Sequence, residues 1–379
     1  MDIDRRTSLA LGLAACTLPL AAAKADPLDA VTTRYAIIRD FRLRSGVVLP
    51  EVKLAYETYG TLNAAGTNAV LMTHDYTGGH HAAGKYAPGG APPGMTEATP
   101  GSWDLMIGAG KPIDPARHFV IASNMLGSSY GSTNGASLNP ATGQPYGPDF
   151  PDITLADIVT AQYLLLRTLG VNHLLAVMGT SYGGFQAFQW ATTFPEMMHG
   201  AIAINTAPWG AAVGPEVREN LGSVTQAPGF KGGRYYGTDA MLETMVTLRI
   251  GTLKRYGLEA QLMGRFPEPA AREAEIRRQA LPWARAFDPN SLIILGKAIQ
   301  RFDTRPDFSR IKAKMLYALT TTDKLFPPSL APQVMAGLKR ARVDARFFEI
   351  RNNFGHIGAG VDSPDWVPTL AAFMKKIGG

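Results

Sequence analysis

A glycine-flanked serine, Gly179-Thr180-Ser181-Tyr182-Gly183, joins an apolar run to a helical one, and that junction limits the fold severely. Residues 174–178 are continuously apolar, as buried strands are, while residues 184–194 carry helical periodicity that Pro195 stops. A strand that turns into a helix this sharply leaves no room for side chains beside the serine, which explains glycine at 179 and 183. The serine is therefore a candidate nucleophile at the end of a buried strand.

The rest of the chain agrees. Residues 36–43 and 52–58 alternate in strand fashion around Ser45-Gly46, and residues 69–73 and 119–123 are continuous apolar runs typical of buried parallel strands. Residues 154–169 read as a helix ending at Gly170. Strand–helix alternation predicts an α/β fold with a mostly parallel sheet flanked by helices. From about 209 to 310 only helical segments appear, such as 240–256 and 270–287; strands resume at 314–319 and 345–350, before a final helix over 366–376. The expected division is a leader over 1–25, a core over 26–208, a helical cap over 209–310 and the rest of the core over 311–379. Residues 78–101, rich in Gly, Pro and Ala, read as a long loop, a length that usually serves function.

Arg5-Arg6, the apolar run 9–20 and Ala23-Lys24-Ala25 fit a secretory leader, so a periplasmic or secreted location is expected. The arginine pair partly matches a twin-arginine signal. Leu13-Ala14-Ala15-Cys16 also resembles a lipoprotein box, making a lipid anchor at Cys16 the alternative. Cys16 is the chain's single cysteine, so the body has neither disulfides nor a thiol nucleophile. The formal charge of +6 is scattered: the densest basic group (Arg272, Arg277, Arg278, Arg285) alternates with Glu273 and Glu275. That pattern suits a solvated helix, and no nucleic-acid partner is expected.

A serine nucleophile requires a base, and two histidines follow Ser181. His199 falls in a turn before a strand, whereas His356 follows the strand 345–350 at the edge where α/β sheets gather ligand-binding residues. His356 is thus the expected base. Asp323, in the loop leaving strand 315–319, is the expected orienting carboxylate; Asp303 and Asp307 precede that strand and sit at the wrong edge. The oxyanion donors are expected to be the backbone amides of Tyr182 and, after strand 69–73, Tyr76. His74, His80 and His81 have no partner at ligand spacing, so neither a metal nor another cofactor is expected.

These residues, with Leu54-Ala55-Tyr56-Glu57-Thr58-Tyr59-Gly60-Thr61-Leu62-Asn63, Gly110-Lys111-Pro112-Ile113-Asp114, the block YGSTNGASLNPATGQPYGPDFPDIT (130–154), Gly232-Gly233-Arg234-Tyr235-Tyr236 and Asp323-Lys324-Leu325-Phe326-Pro327-Pro328, make the chain resemble the homoserine O-acetyltransferase family of α/β-hydrolase enzymes. The resemblance implies an α/β-hydrolase fold, a triad at Ser181, Asp323 and His356, and acyl transfer through an acyl-serine, from acetyl-CoA to homoserine in the family's name reaction. Related members hydrolyse short-chain esters. It also implies a homodimer through the cap.

Two departures bear on the acceptor. Ile357 stands where the family has an aspartate suited to an acceptor's ammonium, and isoleucine cannot pair that charge. The family's carboxylate-binding arginine falls on Leu221, with Arg218 one helical turn away as a substitute. Arg218, Tyr235 and Ile357 are the candidate substrate contacts. Export would also separate the enzyme from cytosolic acetyl-CoA. The expected function is accordingly an exported serine enzyme hydrolysing small, acetyl-type esters. The alternative is an O-acyltransferase of the homoserine O-acetyltransferase type, and a weaker one is a silent binding protein on the same fold. The partner in either enzymatic reading is a small-molecule ester or acyl donor.

Overall fold

The computed structural model describes residues 26–361 and 363–378, so the expected leader and Cys16 lie outside the described residues. The described chain runs β1 (Arg34–Arg42), β2 (Val48–Tyr59), β3 (Ala69–Thr73), β4 (Phe119–Ser123), α1 (Leu155–Thr168), β5 (Leu174–Thr180), α2 (Tyr182–Thr193) and β6 (Met198–Ile204). Five helices follow: α3 (Gly214–Thr225), α4 (Leu242–Arg255), α5 (Leu258–Leu262), α6 (Pro269–Ala286) and α7 (Pro289–Gln300). Then come β7 (Lys314–Thr320), α8 (Ala331–Arg340), β8 (Ala345–Ile350) and α9 (Trp366–Gly378).

The strands form one sheet in the order β1-β2-β4-β3-β5-β6-β7-β8. The β1–β2 and β2–β4 pairs are antiparallel and all later pairs are parallel. Alternating strand residues feed two cores. Leu71, Val177, Ala203 and Tyr317 pack on the α1–α2 face, while Val70, Met178, Ile202 and Leu316 share the other with Trp366, Leu370 and Phe373 of α9. Both faces are covered, which is why the central strands read as unbroken apolar runs.

Local signals set the ends. Thr154 caps α1 through a capping box with Asp157, and the same aspartate accepts from the Arg44 amide at 2.7 Å, tying β1's exit to the helix. The segment between β3 and β4 contains no named strand or helix, yet it is pinned from β2. The Tyr59 hydroxyl donates to Glu57 at 2.6 Å and accepts the amides of Ala82 and Ala83, while Ser102 and Trp103 donate back to the carbonyls of His81 and Ala82. This long loop therefore forms a fixed wall.

Candidate active site

Ser181 follows β5 directly, at φ 56° and ψ −119°, backbone torsions that an L-residue adopts only under compulsion. Such strain costs about 1–3 kcal/mol and persists only where neighbours overdetermine it. Here the Ser181 amide donates to Ile204 O at 2.9 Å, and its carbonyl accepts from Thr206 Oγ1 at 2.8 Å and from the Phe185 amide at 3.1 Å. A Cβ on Gly179 would stand 2.2 Å from Thr73 Oγ1, and one on Gly183 2.2 Å from Thr73 O. The elbow glycines are required by the packing of β3 against the turn.

The loop leaving β7 presents Asp323, whose Oδ1 accepts the amides of Leu325 (2.8 Å) and Phe326 (3.2 Å). Its Oδ2 lies 2.7 Å from His356 Nδ1, in the turn after β8. Both side chains are buried, and among the described residues His356 Nε2 has no hydrogen-bond partner. Asn205 clamps this turn by donating to the His356 carbonyl at 2.9 Å, and Tyr256 and Phe326 pack against the ring. Burial opposes protonation of the imidazole. The charge and hydrogen bond of Asp323, helped by Asp75 and Glu216, outweigh it and leave the His356 pKa above its ordinary value. His199, by contrast, is exposed on β6 with its ring against His173.

Ser181 opens on an apolar cavity of about 30 Å³, walled by Tyr76, Phe185 and Phe326 and roofed by Val213, Val217 and Ile299 from the helical insertion. The amides of Tyr76 and Tyr182, the expected oxyanion donors, make no hydrogen bond among the described residues. Their rings stack at 5.7 Å, and their hydroxyls donate to carbonyls of α7, Leu292 at 2.5 Å and Leu295 at 3.3 Å. The two oxyanion candidates thereby tie the insertion to the sheet.

Tyr256 lines this cavity and also an adjoining one, which contains His356, Thr180, Asp75, Trp103 and Ile357. Of the candidate substrate contacts, only Ile357 faces a cavity at the base. Arg218 is exposed on α3 and lines neither cavity, because the helix turns Glu216, Val217 and Asn220 inward instead. Tyr235 is buried with its hydroxyl engaged by the Asp288 carboxylate and the Asn290 amide, so it braces the insertion and lines neither cavity.

Glu57 corrects the expectation that the histidine cluster has no acidic partner. From β2 it reaches His81 Nδ1 at 3.0 Å and stands 3.6 Å from His80 Nε2. His74 bonds to Asn124 and to the Asp75 carbonyl. Among the described residues no group of three or more potential ligands is placed to hold a metal. Sequence reading also missed Glu216, whose side chain is 15% exposed, lines the serine cavity and lies 3.2 Å from Arg255. Burial raises its pKa, an effect that Arg255 and His356 partly offset. An acid among Gly214, Pro215 and Val217 gives no linear signal of facing a nucleophile.

A family model for the alpha/beta hydrolase fold matches residues 95–230. The homoserine O-acetyltransferase of Carboxydothermus hydrogenoformans is 32% identical over 375 residues, covering 92% of this chain and 96% of that protein. Among solved structures, esterase E22 superposes with a TM-score of 0.81 at 28% identity, covering 92% of this chain and 99% of that one. The homoserine O-acetyltransferase from Bacillus anthracis superposes with a TM-score of 0.79 at 26% identity, covering 92% and 97%.

Proposed function

Since the chain belongs to the homoserine O-acetyltransferase-like family of α/β hydrolases, we propose that it is an O-acyltransferase carrying a short acyl group through Ser181 to a hydroxyl acceptor. The observation that carries this reading is the enclosure of the serine. Ser181 is 7% exposed and lies beneath helices of the insertion. An acyl-serine there would lie under the insertion, shielded from bulk water until an acceptor enters. The relatives' names support transfer.

In the proposed reaction Ser181 Oγ attacks the acyl carbonyl while its proton passes to His356 Nε2. Asp323 holds the imidazole through Nδ1 and stabilises the imidazolium, and the Tyr76 and Tyr182 amides receive the oxyanion. Collapse of the adduct breaks the bond to the donor's leaving group, which departs with the proton from His356. An acceptor hydroxyl then gives its proton to the same nitrogen and attacks the acyl-serine, and collapse frees the ester and returns the proton to Ser181.

Ile357 favours a second reading, in which water is the acceptor and the enzyme is an esterase. It puts an aliphatic side chain beside the base, where the family resemblance implies an acceptor-binding aspartate. The two readings separate on products. With p-nitrophenyl acetate as donor, acetylated alcohol that rises with added acceptor, homoserine included, supports transfer; acetate as sole product at every acceptor concentration supports hydrolysis. Acetyl-CoA as donor tests the family's name reaction in the same assay. Export is a separate proposal resting on residues 1–25: a mature protein starting at Asp26, or carrying a lipid on Cys16, would support it, and retention of Met1 would end it.

A further inference from the structure

The cavity beside His356 has a volume of about 260 Å³, several times that of the cavity at Ser181. Its walls include the aromatic side chains of Trp103 and Tyr256 and the aliphatic Ile357. Among the described residues the acid in its lining is Asp75, and neither lysine nor arginine lines it. The Asp75 carboxylate is held rigidly: Oδ1 accepts the amides of Thr77 and Gly78, each at 3.0 Å, while Oδ2 has no donor among the described residues. Arg249 lies near this loop, but it donates to Thr77 Oγ1 at 2.9 Å, sits over the Trp283 ring and forms no ion pair with Asp75. The negative charges of Asp75 and Glu216 are felt at both His356 and Tyr256, and at Tyr256 the positive charges of Arg249 and Arg255 oppose them.

We propose that this cavity holds a cationic head group, so that the alcohol exchanged at Ser181 is a short amino alcohol whose ammonium or quaternary ammonium sits among Asp75, Trp103 and Tyr256. The inference rests on the acyl-serine reading above and names its alcohol. A carboxylate with aromatic neighbours is the usual environment for an organic cation. An α-amino acid is disfavoured, because among the described residues neither lysine nor arginine lines the cavity to receive its carboxylate. Asp75 thus supplies, from the opposite loop, a negative charge that Ile357 does not.

The test compares acetylcholine with 3,3-dimethylbutyl acetate, which has the same shape with carbon in place of the charged nitrogen. In the wild type the cationic ester is expected to have a kcat/KM about tenfold higher or more, and in Asp75→Asn the ratio is expected to fall to about one. Asparagine retains the oxygen that accepts the Thr77 and Gly78 amides. Any effect on His356 is common to both esters and cancels in the ratio. A wild-type ratio of one or below overturns the inference, as does a preference that survives the substitution. Thermal shift with choline gives a readout independent of chemistry: stabilisation of the wild type but not of Asp75→Asn is expected, and no wild-type shift counts against the cavity. Failure of both esters, with no fluorophosphonate labelling of Ser181, would instead sink the acyl-serine reading while choline binding still decided this one.

Discussion

Ser181 holds a conformation that glycine would accept at no steric cost, so its retention costs stability in exchange for a hydroxyl at the turn. Ser181→Gly and Ser181→Ala should both abolish turnover, but the glycine variant should be the more stable, by about 1 kcal/mol. Paired thermal melts check this, and a higher melting temperature for the alanine variant would contradict the strain argument. At His356 the sign of the pKa shift predicts the acid limb. In the proposed mechanism the base works as the neutral imidazole, so activity should be lost as pH falls through a pKa that Asp323 raises above the ordinary histidine value. Asp323→Asn should move that limb to lower pH, because burial, which lowers the pKa, then acts with less opposition. It should also reduce kcat on the order of 10³–10⁴-fold by releasing the tautomer. A pH–rate profile measures both, and an unmoved limb would mean another group sets it.

Among the elements, the junction of β5 with α2 and the strand β8 were legible because their signals are local: apolar runs, glycines forced by a turn, a proline stop. Thr154 was legible as the start of α1 for the same reason. What escaped depends on approach between distant segments. Glu57 and His81 are 24 positions apart and meet only because β2 lies beneath the long loop. The outward phase of Arg218 and the inward phase of Glu216 are set by how α3 packs beneath α7, which a weakly amphipathic segment does not specify. Tyr235 stands in the sequence as a candidate substrate contact, but its hydroxyl joins the insertion's 235–236 segment to the start of α7 through Asp288 and Asn290. Tyr235→Phe is therefore expected to destabilise the protein by about 1–3 kcal/mol while leaving KM for a small ester within about twofold. A raised KM with an unchanged melting temperature would restore the substrate-contact role.

For the whole molecule, the parallel strands deliver Ser181, Asp323 and His356 to one edge of the sheet, and the helical insertion closes over that edge. The insertion is anchored at both oxyanion candidates and at the base, where the Ile357 amide donates to the Tyr256 carbonyl at 3.3 Å. Strand–helix alternation was enough to anticipate the mostly parallel sheet and its flanking helices. The two cavities were not, since their volumes and linings arise where insertion, long loop and sheet meet. In the proposed reaction that junction separates a tight site for the acyl group from a roomier one for the alcohol. Transfer and hydrolysis through Ser181 both require one covalent species. Rapid acid quench of the enzyme with p-nitrophenyl acetate, followed by intact-mass and peptide analysis, should reveal one added acetyl group on the peptide carrying Ser181, absent in Ser181→Ala. Turnover of the ester with an unmodified Ser181, or an acetyl group that persists in the alanine variant, would contradict it.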